Sequence, residues 1–318
     1  MSKNLILQLA NPLIRYTIMP IIEVDILMTE EEFRLIRDYI YNHCGLSFDA
    51  SSKFFLEKRL SNRIRFHQLK NFKEYYRFLK YDPKASDELS AAVDILTTNE
   101  TYFFRENCQL MAFSEEILPE IKNRKENNNR GKILSIWSAG CSTGEEPYTL
   151  AMLILETGQF KGWNIEIFGN DISQRVLEVA RRGVYTKSSF RSTEKRFIDK
   201  YFEPLDGKYR IKDEVKNMVR FGYLNLMDED KMRLIGTMDV IFCRNVLIYF
   251  GVESKKKVIH NFYNKLEEGS YLFLGYAESI MNISTAFTLH HLKNDMVFRK
   301  PFKAVNTAAD KPTVLIEQ

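Results

Sequence analysis

Two glycines after a predicted strand form the first candidate ligand site. The apolar segment Lys132–Trp137 predicts a short buried strand, and the loop Ser138–Gly144 follows it directly. Gly140 and Gly144 permit a tight turn and a close approach of the backbone to a ligand, and the helix after the loop offers free N–H groups. Glycines also close ordinary strand-to-helix turns, so the loop alone indicates a site without naming its ligand.

The residues around this loop restrict the class of ligand. No Gly-Lys-Ser/Thr follows, so the loop is not a P-loop, and it does not match the G-x-G-x-x-G pattern of dinucleotide-binding proteins. Glu145 and Glu146 begin the predicted helix Glu145–Glu156, where carboxylates stabilise the helix dipole but disfavour a bound phosphate. A cationic or neutral ligand is therefore favoured.

An acidic residue follows the second predicted strand. Asp171 lies just after the segment Asn164–Gly169, where a carboxylate of a doubly wound nucleotide-binding fold can accept both ribose hydroxyls. The alternative is that Asp171 caps the helix predicted over Ser173–Arg182. Because a glycine loop follows the preceding strand, ribose binding is the stronger interpretation. A nucleoside that has no phosphate and carries a positive centre describes S-adenosylmethionine.

A third polar group lies at the junction of two predicted domains. The segment Leu96–Glu106 mixes short hydrogen-bonding side chains with a guanidinium and three aromatic rings. In the structural alternative, Thr98 or Asn99 caps a helix, and Phe103 and Phe104 belong to the core. The density of polar groups beside aromatic residues favours a binding site.

A fourth polar group follows a predicted central strand. The segment Cys243–Phe250 begins at the carboxyl end of the strand Met238–Cys243, where α/β sheets bind ligands. Arg244, Asn245 and Tyr249 are candidates for contact with a substrate. Core packing explains the apolar residues between them better than binding does.

The residues before these groups predict a small all-helical domain. Thr29 and Glu32 have the spacing of a capping box, and apolar residues at helical intervals follow. Helices are predicted over residues 30–43, 54–66, 72–80 and 87–96. No part of residues 29–96 has the alternation typical of a strand.

Basic residues are concentrated in this helical region. The chain has 46 Lys+Arg, 42 Asp+Glu and a net charge of +4, whereas Ser51–Lys84 alone carries +7 from ten basic and three acidic residues. Four basic residues of the helix predicted over 54–66 lie away from its apolar stripe: Lys58, Arg59, Arg63 and Arg65. An acidic partner is favoured, and the alternatives are a solvated face and a nucleic acid.

The remainder of the chain predicts an α/β fold. Strands that alternate with helices indicate a parallel sheet with helices on both faces. Further strands are predicted over Val219–Tyr223, Met238–Cys243 and Tyr271–Gly275, and a helix over 253–267. Residues 185–216 delay the third strand and contain an alternating stretch, so we interpret them as an inserted β-subdomain.

Composition excludes several classes of protein. With 45% hydrophobic residues over 318 positions, the chain can bury a core and suggests two domains. Its four cysteines lack the spacing of a zinc site or a disulfide framework, so free thiols and no metal are expected. The apolar stretch Leu5–Ile22 is interrupted by Pro12, Arg15 and Pro20, so neither a membrane span nor a signal peptide is predicted. We expect a soluble cytoplasmic protein.

The four polar groups together resemble a known family. The segments that carry the resemblance are Thr97–Glu106, Trp137–Tyr148, Asn170–Ser173 and Cys243–Phe250. In type and order they resemble the CheR-type chemotaxis protein-glutamate O-methyltransferases, over about Thr29 to about Phe302.

This resemblance implies a Rossmann-like sheet of S-adenosylmethionine-dependent methyltransferases in the α/β class. It implies a helical receptor-docking domain over 29–97 and an S-adenosylmethionine-binding catalytic domain over 98–302, with the inserted β-subdomain at 185–216. Residues 1–28 have no family counterpart and are predicted to be an extension, and 303–318 a flexible tail. Met28 is a second candidate for the initiator.

The resemblance also implies roles for individual residues. Asn99, Thr101 and Arg105 would lie along the cofactor, Glu145 would contact its methionine part and Asp171 its ribose. Asn225 and Leu226 would flank the adenine, and Arg244 and Asn245 would close the pocket. Arg105 and Tyr249 would be the catalytic residues nearest the acceptor carboxylate, and Lys58, Arg59, Arg63 and Arg65 would dock the substrate.

The activity implied is methyl transfer from S-adenosylmethionine to glutamates of methyl-accepting chemotaxis receptors, by a protein that we expect to be a monomer. The products would be glutamate 5-O-methyl ester and S-adenosylhomocysteine. A nucleic-acid methyltransferase and a catalytically silent cofactor-binding scaffold are the alternatives. Enzymes of the first kind carry an Asn/Asp-Pro-Pro-aromatic motif or a nucleophilic cysteine pair, and Cys243-Arg244-Asn245 supplies neither. Nucleic acid is therefore not expected as a partner.

Overall fold

The computed structural model describes residues 26–128 and 131–303. The predicted N-terminal extension lies outside the described residues apart from residues 26–28, and the predicted tail lies outside them apart from residue 303. Within the described residues, no helix is both long enough and apolar enough to cross a membrane.

Four helices form the N-terminal domain: α1 (Glu30–Cys44), α2 (Lys53–Phe66), α3 (Phe72–Tyr81) and α4 (Ala85–Leu96). The predicted capping box is present, because Thr29 accepts from the Glu32 N–H and the Glu32 side chain accepts from the Thr29 N–H. Helix α1 ends at Gly45, whose φ of 78° is in the left-handed region. The apolar stripe predicted on α2 is fully buried, as Leu56, Leu60 and Ile64 show.

A linker over residues 97–106 joins this domain to a bent helix. The helix begins as α5 (Asn107–Ala112), passes through a π-helical turn at Phe113–Ile117 and continues as α6 (Leu118–Asn127). Neither Thr98 nor Asn99 caps it, because its N-cap residue is Glu106.

The remaining elements, in chain order, are β1 (Ile133–Ala139), α7 (Glu145–Thr157), β2 (Asn164–Asp171), α8 (Gln174–Arg182), β3 (Val184–Tyr185), α9 (Lys195–Tyr201), β4 (Phe202–Leu205), β5 (Lys208–Ile211), α10 (Asp213–Lys216), β6 (Val219–Tyr223), α11 (Glu229–Arg233), β7 (Met238–Cys243), α12 (Val252–Lys265), β8 (Leu266–Leu274), β9 (Thr288–His291) and β10 (Met296–Arg299).

The central sheet is mixed rather than parallel. Its seven strands have the order β6-β2-β1-β7-β8-β10-β9. The first five are parallel to one another, but β10 is antiparallel to both β8 and β9. Strands β9 and β10 are not predicted from the sequence, because each has only four residues and neither alternates apolar and polar residues.

Successive side chains of the central strands enter two different cores. Along β7, Val240 and Phe242 pack with one cluster, whereas Ile241 and Cys243 pack with the other. The same alternation holds on β8, so that both faces of the sheet are buried. Helices α5, α6 and α7 contribute to the first cluster and α12 to the second, as the sequence predicts for an α/β fold.

The predicted insertion is a small antiparallel sheet of order β3-β5-β4. Its aromatic residues pack on the linker, since Phe103 stacks on Phe190 with ring centroids 5.1 Å apart. Tyr185 also donates to the carbonyl of Thr143, 2.8 Å away. The insertion therefore packs against two segments that carry predicted polar groups, the linker 97–106 and the glycine loop 138–144.

The helical domain packs against the carboxyl ends of the central strands. Leu46 forms an isolated antiparallel bridge with Phe250, and Asn225 Nδ2 donates to the His43 carbonyl at 2.7 Å. Gly45 fits tightly here, because a Cβ atom at this position would lie 2.9 Å from Ser254 Oγ. The end of α1 therefore sits directly beside the loops that follow β6 and β7.

Candidate active site

One cleft gathers most of the residues predicted from sequence. Its empty volume is about 1010 Å³, including the solvent at its mouth, which suits a small-molecule ligand. It lies at the carboxyl ends of β1, β2, β6 and β7, and Cys44 and Leu46 of the helical domain complete its wall. The predicted residues that line it are Asn99, Thr101, Arg105, Asp171, Asn225, Leu226, Arg244, Asn245 and Tyr249.

The glycine loop after β1 has the backbone that its sequence predicts. Gly140 has a φ of 76°, and a Cβ atom there would lie 2.5 Å from Val246 Cγ2. Only glycine accommodates both that backbone and that contact. The N–H of Gly140 donates to the Asn170 carbonyl at 2.9 Å, which joins the loop to the end of β2.

Asp171 faces the cleft and does not provide the side-chain cap of the following helix. Ser173 caps α8 through its own hydroxyl. The two Asp171 oxygens accept the N–H groups of Ser142 at 2.8 Å and Ser173 at 2.9 Å. Burial raises the pKa of Asp171, although these two hydrogen bonds act in the opposite direction. Each oxygen keeps a lone pair with which it can accept a ligand hydroxyl.

Glu145 is not among the residues that line the cleft, so the cleft geometry does not support its predicted contact with the methionine part of the cofactor. Its carboxylate accepts hydrogen bonds from Thr143 at 2.6 Å and Ser189 at 3.1 Å, toward the inserted subdomain. The next residue, Glu146, lines the cleft instead. Adjacent residues of a helix point about 100° apart, and here the two glutamates have different surroundings.

Arg244 joins three segments at the base of the cleft. Its guanidinium lies 3.1 Å from Glu106 and 3.3 Å from Glu146, and it also donates to the Arg105 carbonyl. The Arg244 side chain is only 2% exposed, so its charge is balanced by these two carboxylates. Burial raises the pKa of Glu146, and the charge of Arg244 opposes that shift.

Backbone strain is concentrated around the cleft. Phe104 and Glu106, on either side of Arg105, have φ values of 60° and 56°. Ser142 (50°) and Asn245 (61°) are also in the left-handed region, which non-glycine residues rarely occupy. Phe104, Ser142 and Asn245 line the cleft, and strain of this kind typically clusters at functional sites.

The side chains at the open end of the cleft differ in their partners. Arg105 Nη1 donates to the Glu100 carbonyl at 2.9 Å, while its side chain remains 28% exposed. Tyr249 is half-buried and packs against the core of the helical domain. Asn245 Oδ1 is buried and has no hydrogen-bond partner, so this oxygen can accept from a ligand.

Of the four basic residues predicted on α2, two have exposed side chains, although Arg59 also contacts the Ile95 carbonyl at 3.5 Å and the Phe55 ring. Lys58 and Arg59 are exposed. Arg63 Nε donates to the buried carboxylate of Glu88 at 2.9 Å, so Arg63 belongs to the interior of the helical domain. Arg65 is half-buried and donates to Asn62 Oδ1 at 3.1 Å.

Among the described residues, no group of three His, Cys, Asp or Glu side chains could hold a metal ion. All four cysteines are free thiols, as predicted. Burial raises the pKa of Cys141 and Cys243, so neither is activated as a thiolate.

Comparison with known proteins identifies the family. A family model described as "CheR methyltransferase, SAM binding domain" matches residues 99–296, and "CheR methyltransferase, all-alpha domain" matches residues 31–97. The chain belongs to the CheR methyltransferase family. The resemblance predicted from the four polar segments is confirmed.

Curated relatives support the same assignment. A CheR-family relative named chemotaxis protein methyltransferase 2, from Vibrio cholerae serotype O1, is 36% identical and covers 88% of this chain and 96% of its own. A chemotaxis protein methyltransferase from Borreliella burgdorferi is 37% identical and covers 81% of this chain and 91% of its own.

The solved magnesium protoporphyrin IX methyltransferase of Synechocystis PCC 6803 with bound SAM covers 70% of this chain and 91% of its own, at 14% identity and a TM-score of 0.29.

The protein is a methyltransferase that uses S-adenosylmethionine, and the residues of the cleft fit that cofactor. Asp171 keeps lone pairs that would accept ribose hydroxyls, and the unpartnered oxygen of Asn245 would accept a further hydrogen bond. The carboxylates of Glu100, Glu146 and Asp171 and the guanidinium groups of Arg105 and Arg244 line the cleft. Both signs of charge are present, which suits S-adenosylmethionine because it carries a carboxylate, an amine and a sulfonium centre.

Proposed function

We propose that this protein transfers a methyl group from S-adenosylmethionine to glutamate side chains of methyl-accepting chemotaxis receptors. The products are glutamate 5-O-methyl ester and S-adenosylhomocysteine, and the reaction serves sensory adaptation in the cytoplasm. One observation carries the proposal: Arg105 and Tyr249 line the cleft that contains Asp171, beside a cofactor site of the CheR family. The names of the curated relatives support chemotaxis as the setting.

The side chains of the cleft suit a nucleophile that is already ionised. Within residues 26–128 and 131–303, no lysine or histidine lines the cleft. Its buried carboxylates are already engaged, Glu146 by Arg244 and Asp171 by two backbone N–H groups. A glutamate with an ordinary pKa of about 4.3 is a carboxylate at neutral pH and needs no general base. Acceptors such as an amine would need a group to remove a proton.

Arg105 and Tyr249 orient the acceptor in this proposal. The guanidinium pairs with a carboxylate, and the phenol donates a hydrogen bond to it. When bound, S-adenosylmethionine supplies an electrophilic methyl group on a positively charged sulfur. Opposite charges are partly cancelled as the carboxylate attacks, so alignment and exclusion of water supply most of the acceleration.

The remaining cleft residues hold the cofactor. We assign Asp171 to the ribose, Asn225 and Leu226 to the adenine, and Asn99 and Thr101 to the methionine end. Glu146 takes the place first assigned to Glu145. Arg244 closes the base of the cleft by holding Glu106 and Glu146, and Asn245 closes its side.

The receptor docks on the helical domain in this proposal. The exposed Lys58 and Arg59 of α2 present positive charge to the acidic methylation helices of a receptor. Arg63 does not take part, because Glu88 already holds its guanidinium.

Transfer of labelled methyl to chemoreceptor-containing membranes, followed by mild alkali, tests the proposed function. Volatile labelled methanol identifies a carboxyl ester and supports the proposal. Alkali-stable label means nitrogen or carbon methylation and contradicts it. Receptors whose acceptor glutamates are replaced by alanine serve as the control and should take up no label. Cofactor binding without transfer to any receptor would indicate the silent scaffold.

A further inference from the structure

A carboxylate behind the cleft holds the loop 244–250, which carries five of the residues that line the cleft. Glu278 Oε2 accepts the N–H groups of Asn245 and Gly275, each at 2.7 Å. Its Oε1 accepts the N–H groups of Val246 at 2.9 Å and Ile248 at 3.1 Å. One side chain therefore satisfies four backbone donors from two segments. Glu278 itself is not among the residues that line the cleft.

The sheet brings these two segments together. Strands β7 and β8 are parallel neighbours, and Cys243 at the end of one is paired with Leu274 at the end of the other. The chain leaves both strands at the same edge of the sheet. The segment 244–250 and the segment 275–278 consequently run side by side, with the Glu278 carboxylate between them.

This arrangement fixes the conformation of Asn245. Its φ of 61° is left-handed, and its N–H is the group that Glu278 accepts. A Cβ atom on Gly275 would lie 2.7 Å from Asn245 Nδ2, so the amide packs directly on a residue that has no side chain. The other end of that amide is the buried oxygen without a partner, on the wall of the cleft.

We propose that Glu278 is a positioning residue for the cofactor pocket, which acts by holding Asn245 in its left-handed conformation. Without the carboxylate, four N–H groups lose their acceptor and the segment 244–250 relaxes. The Asn245 oxygen then leaves the place from which it can accept a hydrogen bond from the cofactor. This role depends on the S-adenosylmethionine site and does not depend on which acceptor the enzyme methylates.

The test measures S-adenosylmethionine affinity by calorimetry on the full chain, well below the thermal midpoint of each variant. We expect Glu278→Gln to raise the Kd for S-adenosylmethionine by about tenfold or more. The glutamine amide replaces one acceptor oxygen with an NH2 group, and that group cannot accept the backbone N–H groups that the oxygen holds. Glu278→Asp should recover part of the loss. The matched control is Glu253→Gln, at an exposed position of α12, which should leave Kd within about twofold of the wild type.

A double-mutant cycle separates positioning from general stability. In an Asn245→Ala background, Glu278→Gln should change Kd by less than about twofold, because the group through which it acts is gone. An equal effect in both backgrounds, or an unchanged Kd in the folded single variant, would overturn the proposal. If Glu278→Gln does not fold, the Kd of the Gly275→Ala variant for S-adenosylmethionine is measured instead. The added Cβ atom would crowd both the Asn245 amide and Glu278 Oε2, the two groups whose contact the proposal invokes. A raised Kd therefore supports the proposal, and an unchanged Kd overturns it.

Discussion

Arg105 lies between two strained residues, and its position is fixed from both sides. Phe104 donates its N–H to Thr149 Oγ1 at 3.3 Å, and Glu106 is held by Arg244. The backbone therefore aims Arg105 at the cleft before any ligand arrives. Such preorganisation is expected of a residue that orients a reacting group.

Replacement of Arg105 tests whether it orients the acceptor or transfers a proton. Arg105→Ala should lower kcat by about 100-fold, as expected when a reacting group loses its alignment. The pH–rate profile should keep its shape, since no proton passes through the guanidinium. Rates measured between pH 6 and 9 would check both expectations. Full activity, or loss of one limb of the profile, would contradict the assignment.

Protonation of Asp171 should weaken cofactor binding. Its carboxylate is the proposed ribose acceptor, and burial raises its pKa above that of an ordinary aspartate. The ionised form is lost as pH falls through this raised pKa, so Kd should increase on acidification. Asp171→Asn should raise Kd by about 10- to 100-fold at pH 7, which corresponds to about 1.5–3 kcal/mol for hydrogen bonds to a charged group.

Calorimetric titrations at pH 7 and pH 5.5 would measure this effect. The variant should show a smaller rise in Kd on acidification than the wild type. Part of the rise should remain, because burial also raises the pKa of Glu146 in the same cleft. An identical pH dependence in the two proteins would exclude Asp171 as the titrating group.

The sequence predicts which types of residue form this site better than it predicts the direction in which each side chain points. Nine of the ten predicted cofactor-contacting or catalytic residues line the cleft, and Glu145 does not. Glu145 and Glu146 have the same chemistry at the start of one helix, so only the phase of that helix distinguishes them. That phase depends on how α7 packs on the sheet, and two adjacent glutamates carry no periodic signal of it.

At the scale of elements, α2 is the proposed receptor-docking helix. The double variant Lys58→Glu/Arg59→Glu should raise KM for receptor by about tenfold at low salt, while kcat and the Kd for S-adenosylmethionine stay unchanged. The difference from wild type should shrink as salt is added, since exposed charges are screened. Methylation rates against receptor concentration at two ionic strengths would measure it.

Two lysines at the opposite end of the parallel strands provide a charge-matched control. Lys132 and Lys161 are exposed beside the amino ends of β1 and β2, so Lys132→Glu/Lys161→Glu makes the same change in net charge far from α2. It should leave KM unchanged. Equal effects of the two double variants would show that net charge, and not the α2 surface, determines receptor affinity.

Elements with strong periodicity are predicted, and those defined by tertiary contacts are not. All four helices of the N-terminal domain are present because each carries a continuous buried stripe. Strands β9 and β10 form only by pairing with β8 and each other. The role of Arg63 follows the same rule, because its partner Glu88 lies on another helix and is 25 residues away in the chain.

At the scale of the molecule, the cofactor pocket belongs to both domains. Cys44 and Leu46 form part of its wall, and Asn225 is tied to the end of α1. The sequence carries no signal of this, because Cys44 and Leu46 look like ordinary core residues. Their function depends on how two domains meet, and that arrangement is not encoded in local periodicity.

Hydrogen exchange with and without S-adenosylmethionine would test the shared pocket. Ligand that binds only the folded state stabilises it, by about 2.7 kcal/mol at a hundredfold excess over Kd. Amides of residues 41–47 should therefore be slowed together with those of residues 97–105 and 140–146. Amides of β9, which lies at the far edge of the sheet, should change least. Protection confined to residues after 97 would show that the helical domain does not respond to the cofactor.

The end of α1 has a consequence for engineering chimeras of this family. An exchange of the whole helical domain between relatives, made to redirect receptor choice, would also replace Cys44 and Leu46 on the cofactor pocket. Such a hybrid changes the receptor surface and the wall of the cofactor pocket at once, and a loss of turnover that came from the pocket would be misread as failure to recognise the new receptor. A graft limited to the exposed positions of α2 leaves the pocket intact. The unit that can be exchanged is therefore a helix surface and not a domain.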